Sequence, residues 1–400
     1  MKKTLVLAAL TFLLAACGEK TEKPQGFIAE NIDFARQQMN KQIDIIEASG
    51  ECLNPVKVNT DSTVYYCKYD DWRSGFFPGA VWYLYDLTKD EKYLPLAKKY
   101  TEALHEVQTM TAHHDIGFIV MSSYGNGLRL TGNEAYKDVI VRSAQSLCTR
   151  FREVPGVIQS WDVRGWQGTR GWECPVIIDN MMNLELLFKA TELSGDSTYY
   201  KVAVSHANRT LQEHFRPNGS CYHVIDYSIK EGNVRNRQTA QGYSDESIWS
   251  RGQAWGIYGF AMAYRCTGDK RYLEQSLKTF DMMRNYKTMA ADCVPYWDMD
   301  APDIPNALRD VSSAACIAAA LYEICTFNVD NPQQYKDYAD AIMESLASPA
   351  YRAPLGTNGN FLLMHSVGSI PHNNEIDVPL NYADYYFLEA LARKKALEGE

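Results

Sequence analysis

The sequence predicts an all-α protein folded as an (α/α)6 barrel, a toroid of six helical hairpins, and three observations predict it. A short motif recurs: LTKDEKY (Leu87–Tyr93), LTGNEAY (Leu130–Tyr136), LSGDSTY (Leu193–Tyr199), CTGDKRY (Cys266–Tyr272) and, more loosely, FNVDNPQQY (Phe327–Tyr335). The helical pattern before each motif is apolar on every side and the one after it is amphipathic, marking the first as buried and the second as having one wet face. The connection through each motif is tight, whereas the links from an amphipathic helix to the next apolar one are long.

Each motif is a helix stop followed by a helix start. Glycine admits the left-handed conformation that ends a helix, the Asp or Asn after it caps the next helix, and the Tyr falls in the new first turn. Taken in order, an amphipathic helix over Ile28–Ala48 is followed by buried helices at Gly79–Tyr85, Ile116–Arg129, Met181–Leu193, Gln253–Tyr264, Ser312–Cys325 and Tyr382–Ala392. Amphipathic helices such as Tyr93–Val107 and Tyr272–Met283 stand between them, giving about twelve in all. The unequal spacing of the motif argues against an open solenoid of helix pairs. The long links are Glu153–Ile178, Arg216–Trp249, Thr288–Arg309 and Pro349–Asn381. They emerge at the N-terminal ends of the inner helices, where unpaired N–H groups and positive dipole ends make a seat for a carboxylate-bearing ligand.

The chain opens MKKTLVLAALTFLLAAC, two lysines and an apolar run ending in Leu14-Ala15-Ala16-Cys17. This reads as a lipoprotein signal peptide over residues 1–16, an acylated Cys17 with a polar tether over 17–26, and a single barrel domain over 27–400. Attachment to the membrane is expected through the lipid anchor only, facing the periplasm of a Gram-negative cell, with surface exposure as the alternative. The formal charge is −9. An acidic surface without a basic run excludes nucleic acid as a partner, so an anionic ligand must be gripped by a few placed arginines. The cysteines after Cys17 show no zinc spacing, and neither a metal nor a cofactor is expected.

Polar and aromatic residues collect before every inner helix. Asp70-Asp71-Trp72-Arg73 precedes the first, His113-His114-Asp115 the second, Asp179 the third, Gln241–Trp255 the fourth and Arg309-Asp310 the fifth, while His365 and His372 lie in the loop before the sixth. Asp179 sits between the apolar Val176, Ile177 and Ile178 and a methionine-rich helix; it is either an N-cap or, with its pKa raised by burial, a general acid. His114 has a second reading as a core histidine, His223 as a loop residue bonded to backbone, Asp115 as a cap, and Arg251 as the partner of Asp245 or Glu246. Together, two carboxylates, a histidine, an arginine and the tryptophans Trp249 and Trp255 beside Gln241 have the makeup of a glycoside-processing site.

On DWRSGFFPGAVW (Asp71–Trp82), HHDIGF, IIDNMMN, QGYSDESIWSRGQAWGIYGF (Gln241–Phe260), RDVSSAA and NYADYYFLEAL (Asn381–Leu391), the chain resembles the unsaturated glucuronyl hydrolases of glycoside hydrolase family 88. The resemblance implies an (α/α)6 barrel that removes the Δ4,5-unsaturated glucuronate left at the non-reducing end of a glycosaminoglycan oligosaccharide by a polysaccharide lyase. It implies Asp179 as the acid that protonates C4 and Asp115 as its partner. By the same resemblance His114, His223, Gln241 and Arg251 surround the uronate, and Trp72, Trp161, Trp249 and Trp255 form aromatic walls. Some relatives that accept sulfated units carry a Ser-x-x-Ser-x-Lys pattern in the last loop; here His365–Asp377 offers Ser369, His372 and Asn374 and no lysine. Arg73, Arg164 and Arg170 are the remaining candidates to meet a sulfate. Two alternatives are an unsaturated rhamnogalacturonyl hydrolase acting on pectin fragments and a non-catalytic glycan-binding lipoprotein.

Overall fold

In the computed structural model, which describes residues 26–399, the recurring turns form as their residues dictate. Gly132, Gly195 and Gly268 take φ of 65, 74 and 72°. Asn133, Asp196 and Asp269 then accept the backbone N–H of Ala135, Thr198 and Arg271 and cap the following helices. In the first motif Lys89 takes the left-handed position, and in the fifth Asn331 does so ahead of Pro332, whose fixed φ suits a first helical residue. The tyrosine of each motif, Tyr93, Tyr136, Tyr199, Tyr272 and Tyr335, is buried in the core. The predicted signal peptide and Cys17 lie outside the described residues.

The helices are α1 (Phe27–Ser49), α2 (Phe76–Thr88), α3 (Tyr93–Glu102), α4 (Ile116–Val120), α5 (Asn126–Thr131), α6 (Glu134–Cys148), α7 (Gly165–Thr169), α8 (Asn180–Ser194), α9 (Ser197–Glu213), α10 (Ser250–Thr267), α11 (Lys270–Arg284), α12 (Val311–Ile324), α13 (Pro332–Leu346) and α14 (Asn381–Glu398). A π-helical segment, Met121–Gly125, joins α4 to α5 into one inner rod. The inner ring runs α2, α4–α5, α8, α10, α12, α14, and α14 closes back on α2. The amphipathic α3, α6, α9, α11 and α13 pack outside, and α1 bridges α14 and α2. The result is an (α/α)6 barrel. Helix α12 shows why the ring closes tightly: Val311–Ile324 is buried at every position, and its Ser, Ala and Cys side chains let α10 and α14 approach from either side.

The long links differ from the bare loops expected of them. Cys174–Ile177, Val224–Tyr227 and Val234–Gln238 form a three-stranded antiparallel sheet, and Ser366–Ser369 pairs with Asn374–Val378 as a hairpin. Short β-branched runs such as PVII and VID carry no period that separates a buried strand from a helix start, so these strands were not legible. The sheet positions the site. Its register sets Ile177 opposite Val224, so that Ile178 N–H bonds to the carbonyl of His223 at 3.0 Å and His223 arrives beside Asp179.

Candidate active site

Asp115 and Asp179 occupy the N-cap positions of α4 and α8, adjacent inner helices, yet neither side chain makes a capping bond. The cap reading of both residues is therefore set aside. Asp179 Oδ2 is buried and has no hydrogen-bond partner among the described residues. Burial pushes its carboxyl up to about 7; the Arg251 charge opposes this, and the Asp115 charge adds to it. At Asp115 burial acts in the same upward direction, but His114, the hydrogen bond of His113 and the Arg150 charge together outweigh it and hold the carboxyl below its ordinary value. His113 Nδ1 stands 3.1 Å from Asp115 Oδ2 and His114 Nε2 3.3 Å from Asp115 Oδ1. The pair thus divides, with one acid ionised and its neighbour holding a proton near neutrality.

His223 supports that division. Its Nδ1 accepts the backbone N–H of Ala240 at 3.0 Å and of Gln241 at 3.2 Å, so the ring proton resides on Nε2, which points at Asp179 Oδ2 from 3.8 Å. Burial, reinforced by the Arg251 charge, keeps the imidazole neutral. The backbone-bonded reading of His223 and its place in the site are therefore one arrangement. His114, fully buried, has both ring nitrogens without a hydrogen-bond partner of good geometry among the described residues, and burial lowers its pKa to about 4. It is a neutral imidazole at the site, not a satisfied core histidine.

The structure corrects the expected part of Arg251. It pairs with neither Asp245 nor Glu246. Its guanidinium is buried against Asp310 at 3.1 Å and donates to the carbonyls of Val367 and, at 2.6 Å, of Gly368; these bonds engage three of its five N–H donors and set it close enough to Asp179 for its charge to act there. Gln241 shares this task, its Nε2 donating to Gly368 O at 3.2 Å. Arg73 is also excluded as a sulfate ligand: it is buried between Asp71 and Glu375. Arg164 remains, its side chain 81% exposed, as does Arg170, exposed and laid over the Trp172 ring at 5.1 Å.

The tryptophans separate into two groups. Trp249 and Trp255 are buried; Trp249 packs on His223 with ring centroids 4.4 Å apart, and Trp255 lies behind Asp179 against Phe118 and Tyr386. They wall the carboxyl groups from behind and do not offer open stacking faces. Trp72 and Trp161 are half-buried and line the mouth, a cavity of about 430 Å³ shared with Asp70, Asp71, His113, Asp115, Arg164 and Gln167. Trp161 is brought there by a backbone bridge to His113 and stacks on Trp172 at 5.7 Å. A larger cavity, about 1180 Å³, opens at the opposite end of the barrel, but its charged lining is taken up in ion pairs such as Arg129–Asp86, Arg265–Glu185 and Arg393–Glu389.

Sequence reasoning gave no role to Asn180, Asn183 and Tyr382, and none to His113 beyond its place before the second inner helix. Asn180 binds Ile158 O at 2.8 Å, Asn183 reaches across to α4, and Tyr382 packs on Trp72. The repeated asparagine in IIDNMMN was the available signal, since buried amides require partners.

An (α/α)6 barrel that sets an ionised Asp115 at an aromatic-lined mouth, with a buried, differently charged Asp179 close enough to feel its charge, is the framework of a glycoside-processing enzyme. Residues 51–389 match Glycosyl Hydrolase Family 88, and the chain belongs to that family. It is 41% identical over 397 residues to an unsaturated glucuronyl hydrolase of Formosa agariphila, with 98% of each chain covered. An unsaturated chondroitin disaccharide hydrolase of Streptococcus agalactiae is 30% identical over 380 residues, covering 90% of this chain and 94% of that one. Among solved structures, an unsaturated glucuronyl hydrolase specific for heparin superposes with a TM-score of 0.88 at 40% identity, covering 93% of this chain and 98% of that one.

Proposed function

We propose that this hydrolase removes the Δ4,5-unsaturated glucuronate from the non-reducing end of lyase-generated glycosaminoglycan oligosaccharides by hydrating the C4=C5 vinyl ether. The observation that carries the reading is Asp179, a buried carboxyl beside an ionised Asp115, protonated up to about pH 7. In this reading Asp179 gives its proton to C4, and positive charge develops at C5, where the ring oxygen shares it. Water adds at C5 and returns a proton to the Asp179 carboxylate; the hemiketal opens to a C5 ketone as its hydroxyl proton passes to the ring oxygen, and the C1 hemiacetal so formed expels the aglycone as an alcohol and leaves an aldehyde. Asp115 keeps the proton on its neighbour before the step and bonds ring hydroxyls. His223 offers its Nε2–H to Asp179 as the carboxylate forms. Trp72 and Trp161 meet the sugar at the mouth, with Trp249, Trp255, His114, Gln241 and Arg251 fixing the walls behind. The lipobox ending at Cys17 supports an enzyme tethered by its acyl chains on the periplasmic side.

The test is loss of the ultraviolet absorbance of the conjugated double bond during incubation with lyase-made disaccharides of chondroitin, hyaluronan, heparin and pectin. Decay with a glycosaminoglycan fragment, absent in Asp179→Asn, is the expected result. Binding of a fragment without loss of absorbance would overturn the hydration chemistry.

A further inference from the structure

The N-caps of this barrel behave in two ways. Asn133, Asp196, Asp269 and Asp310 have extended backbones, with ψ of 110, 111, 107 and 94°, and each turns its side chain onto the N–H two residues on. Asp115 sits at the same position of α4 with φ −75° and ψ 15° and makes no such bond. Of the two N–H groups that a cap at this position can take, those of Gly117 and Phe118, that of Phe118 is donated to a side chain of another helix, Asn183 Oδ1 on α8, at 2.8 Å. Asn183 is fully buried, and its Nδ2 has no acceptor among the described residues. The approach requires a glycine: a Cβ at Gly117 would lie 2.5 Å from Asn183 Cα and 2.7 Å from its carbonyl oxygen.

We infer that Asn183 is a positioning residue for the carboxyl pair: it caps α4 in place of Asp115, which leaves the Asp115 carboxylate turned toward His113, His114 and Asp179, and Gly117 makes room for it. The inference rests on the catalytic reading of Asp115 and Asp179 given above. Without Asn183 the Phe118 N–H loses its acceptor, and the nearest substitute is the aspartate that ordinarily fills this role. Asp115 then turns into the cap and away from its partner. The charged and titratable groups around the pair are His113, His114 and Arg150 at Asp115, and Arg251, His223, Cys221 and Tyr382 at Asp179. None of these groups bonds to the Phe118 N–H, so the loss of the cap acts on Asp115 itself.

The experiment measures kcat, KM and their pH dependence by ultraviolet absorbance on an unsaturated disaccharide for Asn183→Ala, Gly117→Ala, Asp115→Asn and the Asn183→Ala/Asp115→Asn double variant, with Asp179→Asn as control. Both Asn183→Ala and Gly117→Ala are expected to lower kcat by about 10- to 100-fold with KM little changed. The alkaline limb of the profile should shift to lower pH, because Asp179 no longer feels the Asp115 charge. Asp115→Asn should cost far less in the Asn183→Ala background than in the wild type. A lowered melting temperature with the pH profile in place, or full additivity in the double variant, overturns the inference. If Asn183→Ala does not fold, Gly117→Ala decides by the same profile. An active Asp179→Asn sinks the catalytic reading and this inference with it; a silent Asp179→Asn beside unaltered Asn183→Ala and Gly117→Ala sinks the inference alone.

Discussion

The imidazole of His223 faces the carboxyl of Asp179 across 3.8 Å with its proton on the facing nitrogen, because two backbone N–H groups, those of Ala240 and Gln241, hold the other nitrogen as an acceptor. A neutral donor so placed favours the ionised product of proton transfer and makes no strong demand on the protonated acid that precedes it. His223→Phe, which keeps the ring packed against Trp249, is expected to lower kcat by about 100-fold while KM moves little. Steady-state kinetics check it; a change confined to KM would assign His223 to ground-state binding.

Asp179 also ties stability to pH. The unfolded chain ionises this carboxyl above its ordinary value of 3.8, whereas the folded protein holds the proton to about 7. The favourable term is full below the unfolded value and is lost as pH rises from there through the folded value, at most about 4 kcal/mol. Asp179→Asn, which cannot ionise, should therefore gain stability relative to the wild type between mildly acid and neutral pH. Urea denaturation of both proteins at the two ends of that window reads the difference; parallel curves would refute it.

Arg251 is predicted to matter first for stability. Its removal leaves Asp310, at 0% exposure, a buried carboxylate without its cation, and frees the carbonyls of Val367 and Gly368. Arg251→Ala is expected to cost about 3–5 kcal/mol in denaturant unfolding. A variant with unchanged stability and only a raised KM would return Arg251 to the role of a ligand-binding fork.

Arg164 is an exposed cation at the mouth cavity, paired with Asp162. Arg164→Ala should raise KM for a sulfated unsaturated disaccharide by about two- to fivefold and leave the unsulfated one unchanged, as suits a solvent-screened contact. An equal change for both substrates would remove Arg164 from sulfate recognition.

The barrel was legible because its signals are local. Gly195-Asp196 stops one helix and starts the next wherever it occurs, and Val311–Ile324 is apolar on every side whatever packs against it. The acids were legible by the same means, since Asp115 and Asp179 both open an apolar helix. What those acids do there was not. Whether an aspartate at a helix start caps or stays free depends on what stands across the helix boundary, and Asn183 meets Phe118 only when α8 has docked on α4. The partner of Arg251 was hidden for a related reason: Asp310 is remote in sequence, whereas Asp245 and Glu246 are near neighbours that the chain leads elsewhere. Hydropathy likewise gave no sign of the three-stranded sheet that carries His223 to Asp179.

On its first strand the hairpin of residues 366–378 is held to the barrel by main-chain oxygens, those of Val367 and Gly368 on Arg251 and Gln241, and on its second strand by side chains, Glu375 on Arg73 and Asn374 on Lys57. Replacing a side chain does not delete a carbonyl, so the tip between Ser369 and Asn374 is free to drift in sequence while the first-strand suspension persists. Gly368 is barred from change, since a Cβ there would press within 2.5 Å of Glu375 Cβ, and Glu375 is held by its ion pair with the buried Arg73. Tip residues can therefore be exchanged without disturbing the Arg251 and Gln241 bonds that hold the first strand of the hairpin.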